Sequence, residues 1–81
     1  MLHFIVEPAI TIRFSNLSFA NLTEATLTDA VLRMANMYQI NLSKANLSGA
    51  KLNSANLREA DLREANLSDA ELDYANLRMA K

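Results

Sequence analysis

Asn41-Leu42-Ser43-Lys44-Ala45-Asn46-Leu47-Ser48-Gly49-Ala50 is one five-residue block written twice, and the reading of that block decides the fold. The same register runs outward in both directions, from Thr11-Ile12-Arg13-Phe14-Ser15 to Asn76-Leu77-Arg78-Met79-Ala80. Residues 11–80 are 70 residues, or fourteen blocks of five. Leu holds the second position except at Ile12 and Met37, and Ala holds the fifth except at Ser15 and Ile40.

A period of five excludes both regular structures. In a helix, at about 100° per residue, each Leu advances by about 140° and the apolar residues spiral over every face. In a strand, an odd repeat sends successive Leu side chains to opposite sides. The pattern closes only if the chain turns a corner in every block. In Ala20-Asn21-Leu22, Ala and Leu share one side of a short extended segment and Asn21 points out. Thr23 and Glu24 then round the corner to Ala25. Repetition winds a coil with Ala and Leu inside, and successive coils pair backbone to backbone about 4.8 Å apart.

Period alone leaves the number of sides per coil open. The tandem Ala-Asn/Asp-Leu-x-x motif resembles that of the pentapeptide-repeat family over residues 11–81. The resemblance implies an all-β fold, a right-handed quadrilateral β-helix with twenty residues per coil. Residues 11–80 then make about three and a half coils, a column about 17 Å tall. Asn or Asp before the Leu is read as the residue that makes the corners without Gly or Pro, because its short side chain bonds nearby backbone and tolerates unusual turns. Thr26, Val31, Lys51 and Glu71 depart from that preference.

Residues 1–10 stand outside the repeat. Leu2, Phe4 and Val6 alternate with His3, Ile5 and Glu7, which predicts a capping strand across the open end of the column, with Pro8 at its junction with the first coil. A second irregularity is expected at Met37 to Ile40. Ile40 replaces a small Ala between Ala20 and Ala60, so strain and a local defect are predicted, with Met37 as the adaptable neighbour.

Stacking by twenty gives a surface map. Asn16, Asn36, Asn56 and Asn76 form a column suited to an amide ladder, and Glu24, Lys44 and Glu64 form one of alternating charge. Phe14, Met34, Ser54 and Tyr74 share one corner; Phe19, Gln39, Glu59 and Met79 share the next, beside Ser18, Tyr38, Arg58 and Arg78. Phe14, Phe19, Met34, Tyr38, Tyr74 and Met79 are therefore the candidate partner-binding surface. Leu62, Leu67, Leu72 and Leu77 line the last coil with no closing element after them. With Tyr74 and Met79 at the rim they are the candidate interface of an end-to-end homodimer.

Composition narrows the function. There is no Cys and one His, His3, outside the repeats, so neither a thiolate site nor a His-based triad or metal site can be built. Asp69, Glu71 and Asp73 crowd one corner, but without a turn glycine and with Lys51 beneath Glu71 they read as a solvated face rather than a Ca²⁺ site. The net charge of −1 argues against tracking a phosphate backbone. No apolar run spans a bilayer, and the N-terminal residues lack a secretory pattern, so a cytoplasmic location is expected. The expectation is a non-enzymatic binding scaffold, without cofactors, whose partners are another protein and a second copy of itself. The alternative that the resemblance implies is a DNA-mimicking partner of an enzyme such as gyrase; a self-assembling unit is the third possibility. Nine acidic against eight basic residues, and a column matching only about five base pairs, weigh against the mimic.

Overall fold

In the computed structural model, residues 10–11 and 15–81 are described. The capping strand expected over residues 1–10 and the corner residue Phe14 lie largely or wholly outside them.

The coil length is twenty residues, or four blocks. Parallel single-residue bridges join Asn16 to Asn36, Asn36 to Asn56, Asn56 to Asn76, Asn21 to Asn41 and Val31 to Lys51, always twenty apart. Four faces follow, named here by a bridging residue of the second or third coil. The Val31 face carries Thr11, Val31, Lys51 and Glu71, and the Asn36 face carries Asn16, Asn36, Asn56 and Asn76. The Asn41 face carries Asn21, Asn41 and Asp61, and the Asn46 face carries Thr26, Asn46 and Asn66. The coils pair backbone to backbone as expected, through one bridging residue per block. The reason is geometric. Two of every five residues are spent in the turn, which leaves no room for consecutive bridges.

A block headed by Asn or Asp, with a coil on either side, satisfies its backbone donors by a fixed rule. The first-position N–H donates down to the previous coil, as Asn41 does to the Ala20 carbonyl at 2.9 Å. The second and fourth donate up, as Leu42 does to Asp61 at 2.8 Å and Lys44 to Arg63 at 2.9 Å. The fifth closes the turn on its own block, Ala45 to the Leu42 carbonyl at 3.0 Å. The third donates to the side chain two residues back, Ser43 to Asn41 Oδ1 at 3.0 Å.

That last bond explains the Asn preference and corrects its assigned role. Every Asn or Asp at a first position from Asn16 to Asn76 accepts it, Asp61 included. The unusual backbone lies elsewhere, at the fourth position. Phe19, Glu24, Asp29, Met34, Gln39, Lys44, Ser54, Glu59, Glu64, Asp69, Tyr74 and Met79 have φ between 54° and 65°, and Gly49 has 71°. Positive φ at the third residue of a turn closed by an i to i+3 bond is the type II arrangement, which normally selects Gly or Asn. Asn thus braces the approach to the corner, while the residue that turns it is left-handed. Gly49 is tightly covered from beneath. A Cβ there would come within 2.1 Å of Asp29 Oδ1 in the coil below.

The fully buried core runs from Leu27 to Ala60. Leu32, Leu42, Leu47, Leu52 and Leu57 are sealed from solvent, with Ala30, Ala35, Ala45, Ala50, Ala55 and Ala60 between them. Leu17 and Leu22 at one end, and Leu62, Leu67 and Leu72 at the other, are only partly covered. No polar side chain is buried among the described residues.

The defect expected at Ile40 is absent. Met37 and Ile40 are both buried and the ladder passes through them unbroken: Met37 donates to Asn56 at 2.7 Å, Ile40 to Met37 at 3.1 Å, and Asp61 to Ile40 at 2.9 Å. The φ of Gln39 is 54°, near the other corners. The core absorbs the larger side chain because Met, unbranched and flexible, occupies the Leu position in the same block.

Candidate binding surface

The Asn36 face is the one framed by apolar corners. Met34 and Tyr74 stand on the corner through which the chain enters it, and Phe19 and Met79 on the corner through which it leaves. All four are exposed, Tyr74 at 92% and Met79 at 71%. The remaining corners carry Glu24, Lys44 and Glu64, or Asp29, Gly49 and Asp69.

Along the face, neighbouring coils form one linked cluster. The Phe19 ring meets Tyr38 edge-on at 5.6 Å and 87°, and the Arg58 guanidinium lies 5.6 Å from the Tyr38 ring centre. Such contacts contribute about 0.5–1 kcal/mol each at exposed sites. The Tyr38 hydroxyl donates to Glu59 Oε2 at 3.3 Å, and Gln39 Nε2 donates to Glu59 Oε1 at 3.0 Å. Asn56 Nδ2 donates to Asn36 Oδ1 at 3.1 Å, one rung of the expected amide ladder. Of the candidate partner-binding residues, Phe19 and Tyr38 are in contact. Three coils separate Phe19 from Met79, and the polar Gln39 and Glu59 lie between them.

Beside this cluster an open groove of about 390 Å³ is lined by Gln39, Ile40, Glu59, Asp61, Met79 and Lys81. Its Asp61 carboxylate is engaged twice by Arg63, Nε at 2.9 Å and Nη2 at 2.7 Å, and accepts the Arg63 backbone N–H as well. These bonds, the side-chain ones foremost, lower the Asp61 pKa to about 2, and the pair raises that of Arg63. A carboxyl held below its unfolded value contributes stability that is present above pH of about 4 and is lost as pH falls toward 2. The Asp61 side-chain carboxyl carbon is expected to titrate near 2 by NMR, and Arg63→Gln to return it toward the ordinary carboxylate range. An unchanged midpoint in that variant would remove Arg63 as the cause. The Asp61–Arg63 pair went unread in the sequence, although first and third positions of one block both face outward and the spacing was visible.

The other charged columns behave differently from one another. Glu71 lies 3.6 Å from Lys51 and 3.9 Å from Arg33, so one carboxylate of the crowded acidic corner is tied to two cations. The Glu24, Lys44 and Glu64 column forms no ion pair among the described residues.

At the terminal coil, Leu62, Leu67 and Leu72 are half-buried and Leu77 is 40% exposed, against 0% for Leu57 directly below it. The N–H groups of Leu67, Leu72 and Leu77 have no backbone acceptor above them among the described residues. No described helix is long and apolar enough to cross a membrane.

Comparison with known proteins adds two kinds of likeness. A family model described as pentapeptide repeats in eight copies matches residues 12–49 and again 50–81. Among solved structures, a pentapeptide repeat protein from the cyanobacterium Cyanothece 51142 superposes with a TM-score of 0.54 at 29% identity, over 86% of this chain and 58% of the other. One from the Arabidopsis thaliana thylakoid lumen superposes with a TM-score of 0.53 at 30% identity, over 83% of this chain and 50% of the other. The chain thus spans between half and three fifths of these relatives' lengths. A search of curated proteins gives no significant match.

Proposed function

Because the chain belongs to the pentapeptide-repeat family, whose solved members imply the right-handed quadrilateral β-helix, we propose that it is a non-enzymatic scaffold that binds another protein on its Asn36 face. The observation that carries this reading is where the bulky apolar residues stand. Phe19, Met34, Tyr74 and Met79 occupy left-handed corners with φ of 62–65° and exposed side chains. Every corner shares that conformation, so what sets these four apart is a bulky apolar side chain left in solvent. Core packing does not select these side chains. They flank one face from both sides.

Catalysis fits poorly. The groove beside the face offers Asp61, which Arg63 holds ionised, and Glu59, whose oxygens already accept from Tyr38 and Gln39. The DNA-mimic alternative lacks an acidic stripe, because the cations Arg58 and Arg78 lie on the Asn36 face itself. Since one solved relative comes from a thylakoid lumen, the fold assigns no compartment.

The test places a photo-crosslinking phenylalanine analogue at position 19, and separately at position 44 on the next corner. Position 19 should yield a defined protein adduct in extracts of the source organism, and position 44 should not. Equal labelling at both would reject the Asn36 face as the binding surface.

A second reading rests on the terminal coil. Exposed Leu77 and the unpaired N–H row favour self-association of the 81-residue chain through that edge, as a two-fold dimer. Sedimentation at micromolar concentration should give a dimer that Leu77→Lys converts to monomer. A soluble monomer of 9.0 kDa in the unmodified chain would end this reading.

A further inference from the structure

We propose that the partner bound on the Asn36 face presents an acidic, extended segment, with a carboxylate seated between Arg58 and Arg78 and an apolar side chain about four residues away on Phe19. This rests on the reading of that face as the binding surface and names the chemistry it takes.

The two arginines occupy the same position of successive coils, since the Glu59 N–H donates to the Arg78 carbonyl at 2.9 Å and Asn56 bridges Asn76. Their backbones therefore stand one rung apart, about 4.8 Å, which leaves two like charges on neighbouring coils of one column. Among the described residues no carboxylate reaches either guanidinium within 4.0 Å, whereas Arg33, Lys51 and Arg63 each have one. Glu59 follows Arg58 in sequence, but its oxygens accept from Tyr38 and Gln39. The Oδ1 atoms of Asn56 and Asn76 accept the backbone N–H groups of Arg58 and Arg78. Nearby acceptors are thus already engaged, and both arginines are exposed.

One guanidinium is held in place. Arg58 packs over the Tyr38 ring, which Phe19 supports edge-on and Glu59 fixes through the hydroxyl, so less side-chain freedom is lost when an anion binds. Two long side chains rooted one rung apart can converge on one carboxylate, one guanidinium to each oxygen. From that point to Phe19, 67% exposed, is about two and a half rungs, roughly 12 Å, which an extended chain covers in about four residues. A nucleic acid would need a continuous basic track, but Glu59 interrupts this one and the chain carries a net charge of −1.

The test uses ¹⁵N-labelled protein and three probes: a dodecapeptide in a Ser/Thr background with Glu and Leu four residues apart, its twin with Lys for Glu, and single-stranded oligothymidine. The acidic peptide should move the Nε–H signals of Arg58 and Arg78 and the amides around Tyr38, and moderate salt should weaken it. Arg78→Glu should weaken it at least ten-fold, and Arg78→Gln less, with unchanged melting curves showing that both variants fold. No shift at millimolar acidic peptide, equal binding of the Lys twin, or stronger shifts with oligothymidine at the same signals would each overturn the proposal. A position-19 adduct that survives Arg58→Glu and Arg78→Glu together would overturn it too, while leaving the face as the binding surface intact.

Discussion

Leu47→Ala should cost about 3–4 kcal/mol. Leu47 is at 0% exposure in the middle of the core, with Leu27 below it and Leu67 above it in the same column. A domain of 81 residues has a total stability of about 4–12 kcal/mol, so this one side chain carries a large share. Coils touch only their neighbours, so a cavity in the central coil weakens the interfaces on both sides at once. Leu67→Ala, the same deletion in the half-buried top coil, should cost about 1–2 kcal/mol. For a chain of this size each kcal/mol moves the melting temperature by about 4–8 °C, so far-UV circular dichroism melts separate the two variants easily. Equal losses at 47 and 67 would mean that the terminal coil is covered in solution, and they would support the end-to-end dimer.

The contrast between these two Leu residues is invisible in the repeat, where both read as Asn-Leu-Ser. What was legible was the periodic part: inward Leu and Ala, outward first, third and fourth positions, and the columns made by stacking twenty apart. Those follow from the five-residue period with the family's four-sided coil. The left-handed corner was not legible. The fourth position holds Phe, Glu, Asp, Met, Gln, Lys, Ser and Tyr as well as Gly49, so closure of the coil imposes the conformation against local preference. The candidate site was legible as a column, Tyr38 beneath Arg58 beneath Arg78. Its electrostatics were not. Arg58 and Glu59 are adjacent in sequence and invite reading as a self-neutralised pair. The corner divides them, and Glu59 is drawn down to Tyr38 and Gln39 while Arg58 is left without a counter-charge.

Ile40→Ala, which restores the repeat consensus, should destabilise the chain by about 2–3 kcal/mol rather than relieve it. The sequence predicted strain at this position, because Ala20 and Ala60 in the same column leave room for one methyl group. The structure instead seals Ile40 at 0% exposure within an unbroken ladder, and Met37 beside it at 1%. The two departures from consensus fall in one block and have adapted to each other: the unbranched Met frees the space that the branched Ile fills. Truncating Ile40 alone leaves that space empty. Met37→Leu alone returns a branched side chain to a site narrowed by Ile40 and should also cost about 1–2 kcal/mol, by overpacking. The double variant recovers the consensus block and should lose less than the sum of the singles by at least about 1 kcal/mol, a coupling expected for residues in contact. Denaturant melts of all four proteins close the cycle. Additive losses would show that the wall around Ile40 relaxed independently of Met37. A stabilised Ile40→Ala would mean that the strain read from the sequence is real and is held elsewhere in the coil.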